Sequence, residues 1–224
     1  MPPLRLVSGS LFLAVLAVLN AVAVSAQNYP HKAIRIVTSE VGGGTNLVAR
    51  LIAQGISGPL GQPVIVDNRG GFIPIQVVAN ALPDGYTVLV FGSTLWITPL
   101  LQSVPYEMKN FLPITLAISS PNVLLVNPSL RVNSAKELIA LAKAKPGELN
   151  YGAGTIGSPP HMAGELFKSM AGVDMVNISY KGATPALVDM IGGHIDVYFG
   201  GISGTLPPIA SNKIRPLAVT STKR

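Results

Sequence analysis

The sequence predicts an α/β protein in which mainly parallel sheets are flanked by helices. Short apolar runs rich in β-branched residues alternate with amphipathic stretches of helical period, which is typical of βα units. Turn signals such as Pro83-Asp84-Gly85 separate these runs. The 224 residues include no cysteine, so burial of apolar side chains has to stabilise the fold without disulfides.

The N-terminus has the pattern of a secretory signal peptide, which we assign to residues 1–26. Arg5 precedes an apolar run from Leu11 to Val24, and the small residues Ser25 and Ala26 form a cleavage site before Gln27. A helix over this run would be about 21 Å long, shorter than the roughly 30 Å hydrocarbon core of a bilayer. An exported periplasmic protein is therefore expected, with an uncleaved anchor as the alternative.

Residues 27–120 are predicted to form the N-terminal part of a first lobe. The predicted elements are a strand at Ala33–Thr38, a Gly-rich turn followed by a helix that carries Leu47, Leu51 and Ile52, a strand at Val64–Val66, a loop at Gly70–Pro74, a helix at Ile75–Leu82 and a strand at Tyr86–Phe91. Two apolar runs between Phe111 and Asn127 are separated by Ser119-Ser120-Pro121-Asn122. This interruption indicates the passage to a second lobe.

Residues 121–218 are predicted to form that second lobe from a further βα series. Its predicted elements are helices at Ser134–Ala144, Pro159–Met170 and Thr184–Ile191, and strands at Leu149–Gly152, Met175–Tyr180, Ile195–Phe199 and Ile214–Thr220. Ser134 and Glu137 form a capping box that starts the first of these helices. Residues 219–224 are expected to begin a return to the first lobe, whose remainder is missing, so that the first lobe is incomplete.

Two Gly-rich turns, Gly42–Asn46 and Gly152–Ser158, each lie between a predicted strand and a predicted helix. Backbone N–H groups at a helix N-terminus lack partners, and the helix dipole adds about half a positive charge, so an anion fits there. One such turn by itself is better explained by tight backbone geometry with positive φ. Two turns at the carboxyl ends of strands in successive lobes favour a shared site, for which carboxylate is the simplest ligand. The candidate binding residues are Gly42, Gly43, Gly44, Thr45, Asn46, Ser93, Gly154, Thr155, Gly157, Ser158, His161 and Lys181.

The sequence lacks the motifs of common enzyme classes. Leu47 stands where a dinucleotide fingerprint needs its third glycine, and no Gly-x-Ser-x-Gly elbow or phosphate loop occurs. The histidines show no zinc-ligand spacing, and the acids Asp189 and Asp196 are expected on different elements. No catalytic residue, metal or cofactor is therefore expected. The net charge of +6 is scattered without basic blocks, which argues against nucleic-acid binding.

Several motifs in order give the chain a family resemblance from Tyr29 to Arg224. They are IRIVTSEVGGGTNLVARLIAQ, LGQPVIVDNRGG, PDGYTVL, PYEMKNFLPI, SAKELIALAKAKPGELNYGAG, HMAGELFKSMAG, SYKGATPALVDMIGGHIDVYF and IRPLAVTSTKR. With these motifs the chain resembles the Bug/TctC family of extracytoplasmic solute-binding receptors, which are associated with tripartite tricarboxylate transporters. The resemblance implies a two-lobed periplasmic-binding-protein fold of type II. It also implies that backbone amides and waters at Gly42–Asn46 and Gly154–Ser158 hold a ligand carboxylate.

The chain departs from the family pattern at several positions. Glu40-Val41 replaces a proline-rich lead into the first turn, Asn46 replaces an Asp, Pro159-Pro160 replaces small polar residues, and Gly200 stands where an Asp is common. Glu40 brings negative charge to an expected anion site unless its side chain points away. Family members also continue beyond a segment like AVTSTKR, so this chain is expected to be truncated or degenerate.

The expected function is that of a monomeric periplasmic receptor, not an enzyme. It would capture a small carboxylate, either an organic acid or an amino acid, for uptake or sensing. Its expected protein partners are the membrane subunits of a tripartite tricarboxylate transporter or a sensor. The alternatives are an α/β hydrolase-like enzyme and a truncated remnant of a receptor that no longer binds.

Overall fold

The computed structural model of the chain describes residues 29–222. It confirms the predicted α/β fold. The chain forms two separate sheets, each with parallel strand pairs and with helices that flank it. The predicted signal peptide at residues 1–26 lies outside the described residues. Within residues 29–222, the structure has no helix of sufficient length and apolar character to cross a membrane.

The first lobe, as we use the term below, is a sheet of three parallel strands with its helices. The strands are β1 (Ile34–Thr38), β2 (Val64–Asn68) and β3 (Thr87–Val90), and the helices are α1 (Gly44–Leu60), α2 (Ile73–Ala79) and α3 (Thr94–Leu101). The strand order is β2-β1-β3, with Ile36 opposite both Val66 and Val88. Because β1 is central, its carboxyl end lies between those of its two neighbours.

The second lobe is a five-stranded sheet with the order β6-β5-β7-β4-β8. Its strands are β4 (Asn122–Val126), β5 (Asn150–Ala153), β6 (Val176–Ser179), β7 (Val197–Gly201) and β8 (Arg215–Val219), and its helices are α4 (Ala135–Ala144), α5 (Pro159–Ala171), α6 (Ala183–Gly192) and α7 (Ile202–Ala210). Strands β6, β5 and β7 are parallel, which brings their carboxyl ends to one edge of the sheet.

Strand β4 makes the second sheet mixed, because it runs antiparallel to both β7 and β8. The last strand, which the sequence placed in the second lobe, pairs with β4 at the edge of the second sheet, with a register shift between Leu124 and Leu125. Pro216 is tolerated in this position because an edge strand has one side free of ladder hydrogen bonds.

Each lobe buries its own apolar core. In the second lobe, Leu138, Tyr151 and Val197 are fully buried on one face of the sheet, while Leu125, Ala186 and Met190 are buried in a second cluster. In the first lobe, Ile36 and Ala49 pack between β1 and α1, and a further cluster surrounds Ile75 and Tyr106. These cores hold the strand ends and the turns that follow them in place.

Candidate functional site

The two lobes meet at the first Gly-rich turn. The Thr184 hydroxyl at the start of α6 donates a hydrogen bond of 3.0 Å to the carbonyl oxygen of Val41. A Cβ atom on Gly42 would collide with that same hydroxyl, and a Cβ on Gly204 would lie 3.1 Å from the Gly42 carbonyl oxygen. Glycine at residue 42 therefore allows close approach between the lobes, and its φ of +94° also favours glycine.

A small cavity, partly open to solvent, lies where these segments meet. Its walls come from the first Gly-rich turn in one lobe and from β7 and the starts of α6 and α7 in the other. The lining residues are Gly42, Gly43, Gly44, Ala183, Leu187, Tyr198, Gly201, Ser203, Gly204 and Thr205. The glycine amides and the Ser203 hydroxyl are polar groups that a small ligand could contact here.

Hydrogen bonds from side chains of the first lobe hold the first turn in place. The Asn68 amide nitrogen donates to the carbonyl oxygen of Ser39 (2.7 Å) and to the side-chain oxygen of Asn46 (2.8 Å), and Arg50 donates to the same Asn46 oxygen (3.2 Å). The hydroxyls of Ser39 and Thr45 are hydrogen-bonded to each other. Asn46 and Thr45, which the sequence placed among the candidate ligand contacts, thus position the turn in this structure.

The second Gly-rich turn contacts α3 of the first lobe. The buried Thr98 hydroxyl donates a hydrogen bond of 2.8 Å to the Ile156 carbonyl oxygen. Gly157 has a φ of +81°, and a Cβ there would lie 2.6 Å from the Thr98 hydroxyl oxygen. The Gly157 amide donates to Nδ1 of His161, 3.4 Å away. His161 therefore engages one of the amides that the sequence assigned to an anion.

The structure places both turns at the contact between the lobes but in different surroundings. Among the described residues, the cavity is lined by the first turn and not by Gly154, Thr155, Gly157 or Ser158. Ser93 precedes α3 at the carboxyl end of β3. Lys181 is an exposed residue between β6 and α6.

Two buried hydroxyls near these turns lack hydrogen-bond partners. Among the described residues, the buried side-chain polar atoms without a partner are Thr38 Oγ1 and Ser158 Oγ. Thr38 is fully buried at the carboxyl end of β1, and Ser158, 8% exposed, precedes α5 in the second turn. A buried polar group without a partner is costly and rare, and neither hydroxyl lines the cavity between the lobes.

The Glu40 side chain reaches from the first lobe to the second. Its carboxylate lies against Gly182, at the position that a Cβ on Gly182 would occupy. Burial raises the pKa of Glu40, and the positive charge of Lys181 acts in the opposite direction. The sequence predicts that Glu40 disturbs an anion site unless its side chain points away from that site. The side chain instead extends to the second lobe and brings its negative charge to Gly182.

Sequence reasoning missed the residues that α7 contributes to the cavity wall. Ser203, Gly204 and Thr205 line the cavity, but no helix was predicted there because Pro207 and Pro208 interrupt the helical pattern. The glycines at residues 200 and 201, at the end of a strand, were the available signal for a third turn. The described residues include no cluster of three or more His, Cys, Asp or Glu side chains that could hold a metal ion.

Comparisons with known proteins identify relatives of this chain. The family model described as "Tripartite tricarboxylate transporter family receptor" matches residues 48–224. Protein BugT of Bordetella pertussis is 36% identical over 225 residues, which cover 95% of this chain and 69% of BugT.

Two solved structures share the fold. One, titled "Structure of a periplasmic transporter", has a TM-score of 0.79 and 36% identity and covers 88% of this chain and 68% of its own. The other, an R. palustris protein solved with adipate, has a TM-score of 0.74 and 33% identity with the same coverage. This chain thus spans about two thirds of the length of these relatives. The family match over most of the chain and the identity to BugT show that the chain belongs to the tripartite tricarboxylate transporter receptor family.

Proposed function

We propose that the protein is a periplasmic receptor that captures a small carboxylate between its two lobes, without chemical turnover, for a membrane transporter or a sensor. Membership of the receptor family and the likeness to periplasmic binding proteins support this proposal. The adipate held by one relative of 33% identity indicates a carboxylate as the ligand class.

The observation that carries the proposal is the cavity where the lobes meet, with the first Gly-rich turn on one wall and β7 and the starts of α6 and α7 on the other. The amides of Gly43 and Gly44 and the Ser203 hydroxyl can donate hydrogen bonds, and a carboxylate accepts several. The partial positive charge at the start of α1 would stabilise the anion further.

The remaining predicted ligand contacts belong to this proposal. Gly43 is the N-cap of α1, and no side chain caps it, so the amides at the start of α1 are available to a ligand oxygen. Lys181 would supply a flexible positive charge from the second lobe. Since recognition rests on backbone amides and hydroxyls and not on a reactive side chain, we propose binding and not catalysis.

The proposal is tested by isothermal titration calorimetry of the purified protein with mono-, di- and tricarboxylates and amino acids. Gly43→Pro removes one backbone N–H, and the native φ of −85° lies near the range of proline. Gly43→Ala is the matched control, because it keeps the N–H and its Cβ would come no nearer than 3.7 Å to Ser39 Oγ.

We expect at least one carboxylate to bind, Gly43→Ala to bind like the parent, and Gly43→Pro to lose about tenfold or more in affinity, as expected for a hydrogen bond to a charged group. Chromatography of the ligand after incubation should show that it is unchanged. Failure of every carboxylate to bind a folded protein would contradict the proposal, and consumption of the ligand would favour the enzyme alternative.

A further inference from the structure

Part of the connection between the two lobes has the sequence pattern of a strand. Residues 112–118, which we call the linking segment, read LPITLAI and alternate leucine or isoleucine with proline, threonine and alanine. Such alternation is typical of a strand that buries one of its two sides. In an extended chain, alternate side chains point to the same side. The apolar side of the linking segment would therefore consist of Leu112, Ile114, Leu116 and Ile118.

In the structure these apolar side chains are exposed to solvent. Leu112 is 90% exposed, Leu116 81% and Ile114 78%. The linking segment lies in no helix, strand or turn. Within residues 29–222, its backbone N–H and C=O groups have no hydrogen-bond partner. An exposed apolar segment with free backbone groups is a template for pairing with another strand.

The pairing of β8 with β4 indicates the direction from which a partner strand would come. The two strands are antiparallel, with Val219 opposite Val123. The pairing extends to Thr220, whose amide donates a hydrogen bond of 2.9 Å to the Asn122 carbonyl oxygen and whose hydroxyl accepts one of 2.9 Å from the Asn122 amide. Because the strands are antiparallel, polypeptide that continued this pairing would run back past Asn122 and then along the linking segment.

The relatives contain polypeptide beyond the part that they share with this chain. The alignment with BugT covers 95% of this chain but 69% of BugT. The solved relative of 36% identity is likewise covered to 68%. A strand from the remainder of such a relative, continuing the pairing of β8, would cover the linking segment.

We propose that the linking segment is a docking site for an antiparallel strand of a second polypeptide, which corresponds to the part of BugT that follows the match. The incoming strand carries apolar side chains at alternate positions and covers the apolar side of the segment. Its backbone satisfies the free N–H and C=O groups. The docking site is separate from the cavity between the lobes, which residues 112–118 do not line.

The test is co-expression of the 224-residue chain with the part of BugT that follows the residue aligned with Arg224. The complex is purified on a tag carried by the BugT part, and its stoichiometry is measured by size-exclusion chromatography with light scattering. Hydrogen exchange of residues 112–118 is compared between the complex and the chain alone. Dissociation constants are obtained by dilution of the complex, followed by the fluorescence anisotropy of a dye on the BugT part.

Two variants distinguish the apolar side of the segment from the other side. Leu116→Lys places a charge on the apolar side, where it would oppose burial. Thr115→Lys is the matched control, because it adds the same charge at the neighbouring position, whose side chain points the other way. Both residues are exposed in the chain alone, so neither change should disturb its fold, and circular dichroism verifies this.

We expect a one-to-one complex in which the amides of residues 112–118, which exchange rapidly in the chain alone, become protected. Leu116→Lys should weaken the complex about tenfold or more, the scale of burying one leucine side chain, and Thr115→Lys should bind like the parent. Absence of a complex, a complex in which the linking segment stays unprotected, or equal weakening by the two variants would overturn the proposal. Protection of the segment in a dimer of the chain alone would also overturn it, because the occupant would then be a second copy.

Discussion

Replacement of Gly157 by alanine tests whether the second Gly-rich turn is packed against the first lobe. Gly157 has a φ of +81°, where a residue with a Cβ is strained by about 1–2 kcal/mol. The Cβ would also lie 2.6 Å from the hydroxyl oxygen, 3.0 Å from the amide nitrogen and 3.2 Å from the Cα of Thr98. Because two of these atoms belong to the backbone, the collision cannot be relieved by a side-chain rotation.

Gly172→Ala separates the two contributions. Gly172 also has a positive φ, +61°, but a Cβ there would meet no heavy atom within 4 Å. We therefore expect Gly172→Ala to lower the free energy of unfolding by about 1 kcal/mol from strain alone. Gly157→Ala should lower it by about 1–3 kcal/mol more, the usual range for overpacking.

The measurement is urea unfolding, followed by far-ultraviolet circular dichroism and by the fluorescence of Trp96. This is the one tryptophan of the chain, and it lies in α3, two residues before Thr98. Coincidence of the two transitions would justify a two-state treatment. Equal destabilisation by Gly157→Ala and Gly172→Ala, within about 0.5 kcal/mol, would refute the packing of this turn against α3.

Gly164→Ala should destabilise the protein by about 1–3 kcal/mol in the same urea assay, because its Cβ would press on the buried ring of Tyr151. The control Gly55→Ala, in an exposed position of α1 with no heavy atom within 4 Å, should stabilise it by up to about 1 kcal/mol; the reverse order would contradict the assigned α5 packing. Burial raises the pKa of Tyr180 and of Tyr198 to about 12, above the ordinary value of 10.0. As the pH rises, the unfolded chain therefore loses these protons before the folded protein does. The free energy of unfolding should be unaffected by this ionisation below about pH 10 and should fall towards about pH 12, less steeply in Tyr198→Phe. An unchanged slope in Tyr198→Phe would contradict the raised pKa of Tyr198.

The sequence predicted the elements that have clear local signals. The Ser134 side chain accepts a hydrogen bond from the Glu137 amide and caps α4 as predicted. Strand β1 and strands β5 to β8 lie within a few residues of their expected positions, whereas β4 was not predicted as a strand. These elements were predictable because hydrophobic periodicity, capping residues and glycine turns are properties of neighbouring residues.

Two helices escaped prediction because proline obscured their pattern. Pro99 lies inside α3, and Pro207 and Pro208 lie inside α7, whereas proline ordinarily interrupts a helix interior. Because these helices were not predicted, their contributions to the site were missed. Helix α3 brings Thr98 to the second turn, and α7 brings Ser203 to the cavity wall. The selection of binding residues from the sequence stays a prediction for calorimetry to decide.

The sequence by itself determined that two Gly-rich turns follow strands and precede helices, since that arrangement depends on residues close together in the chain. Only the tertiary structure decided what each turn faces. Thr184 meets Val41 across 143 positions of sequence, and Glu40 lies against Gly182. No local pattern encodes such contacts, because they depend on how two separately packed cores dock. The unpartnered hydroxyls of Thr38 and Ser158 likewise depend on the packing around them, which the sequence does not show.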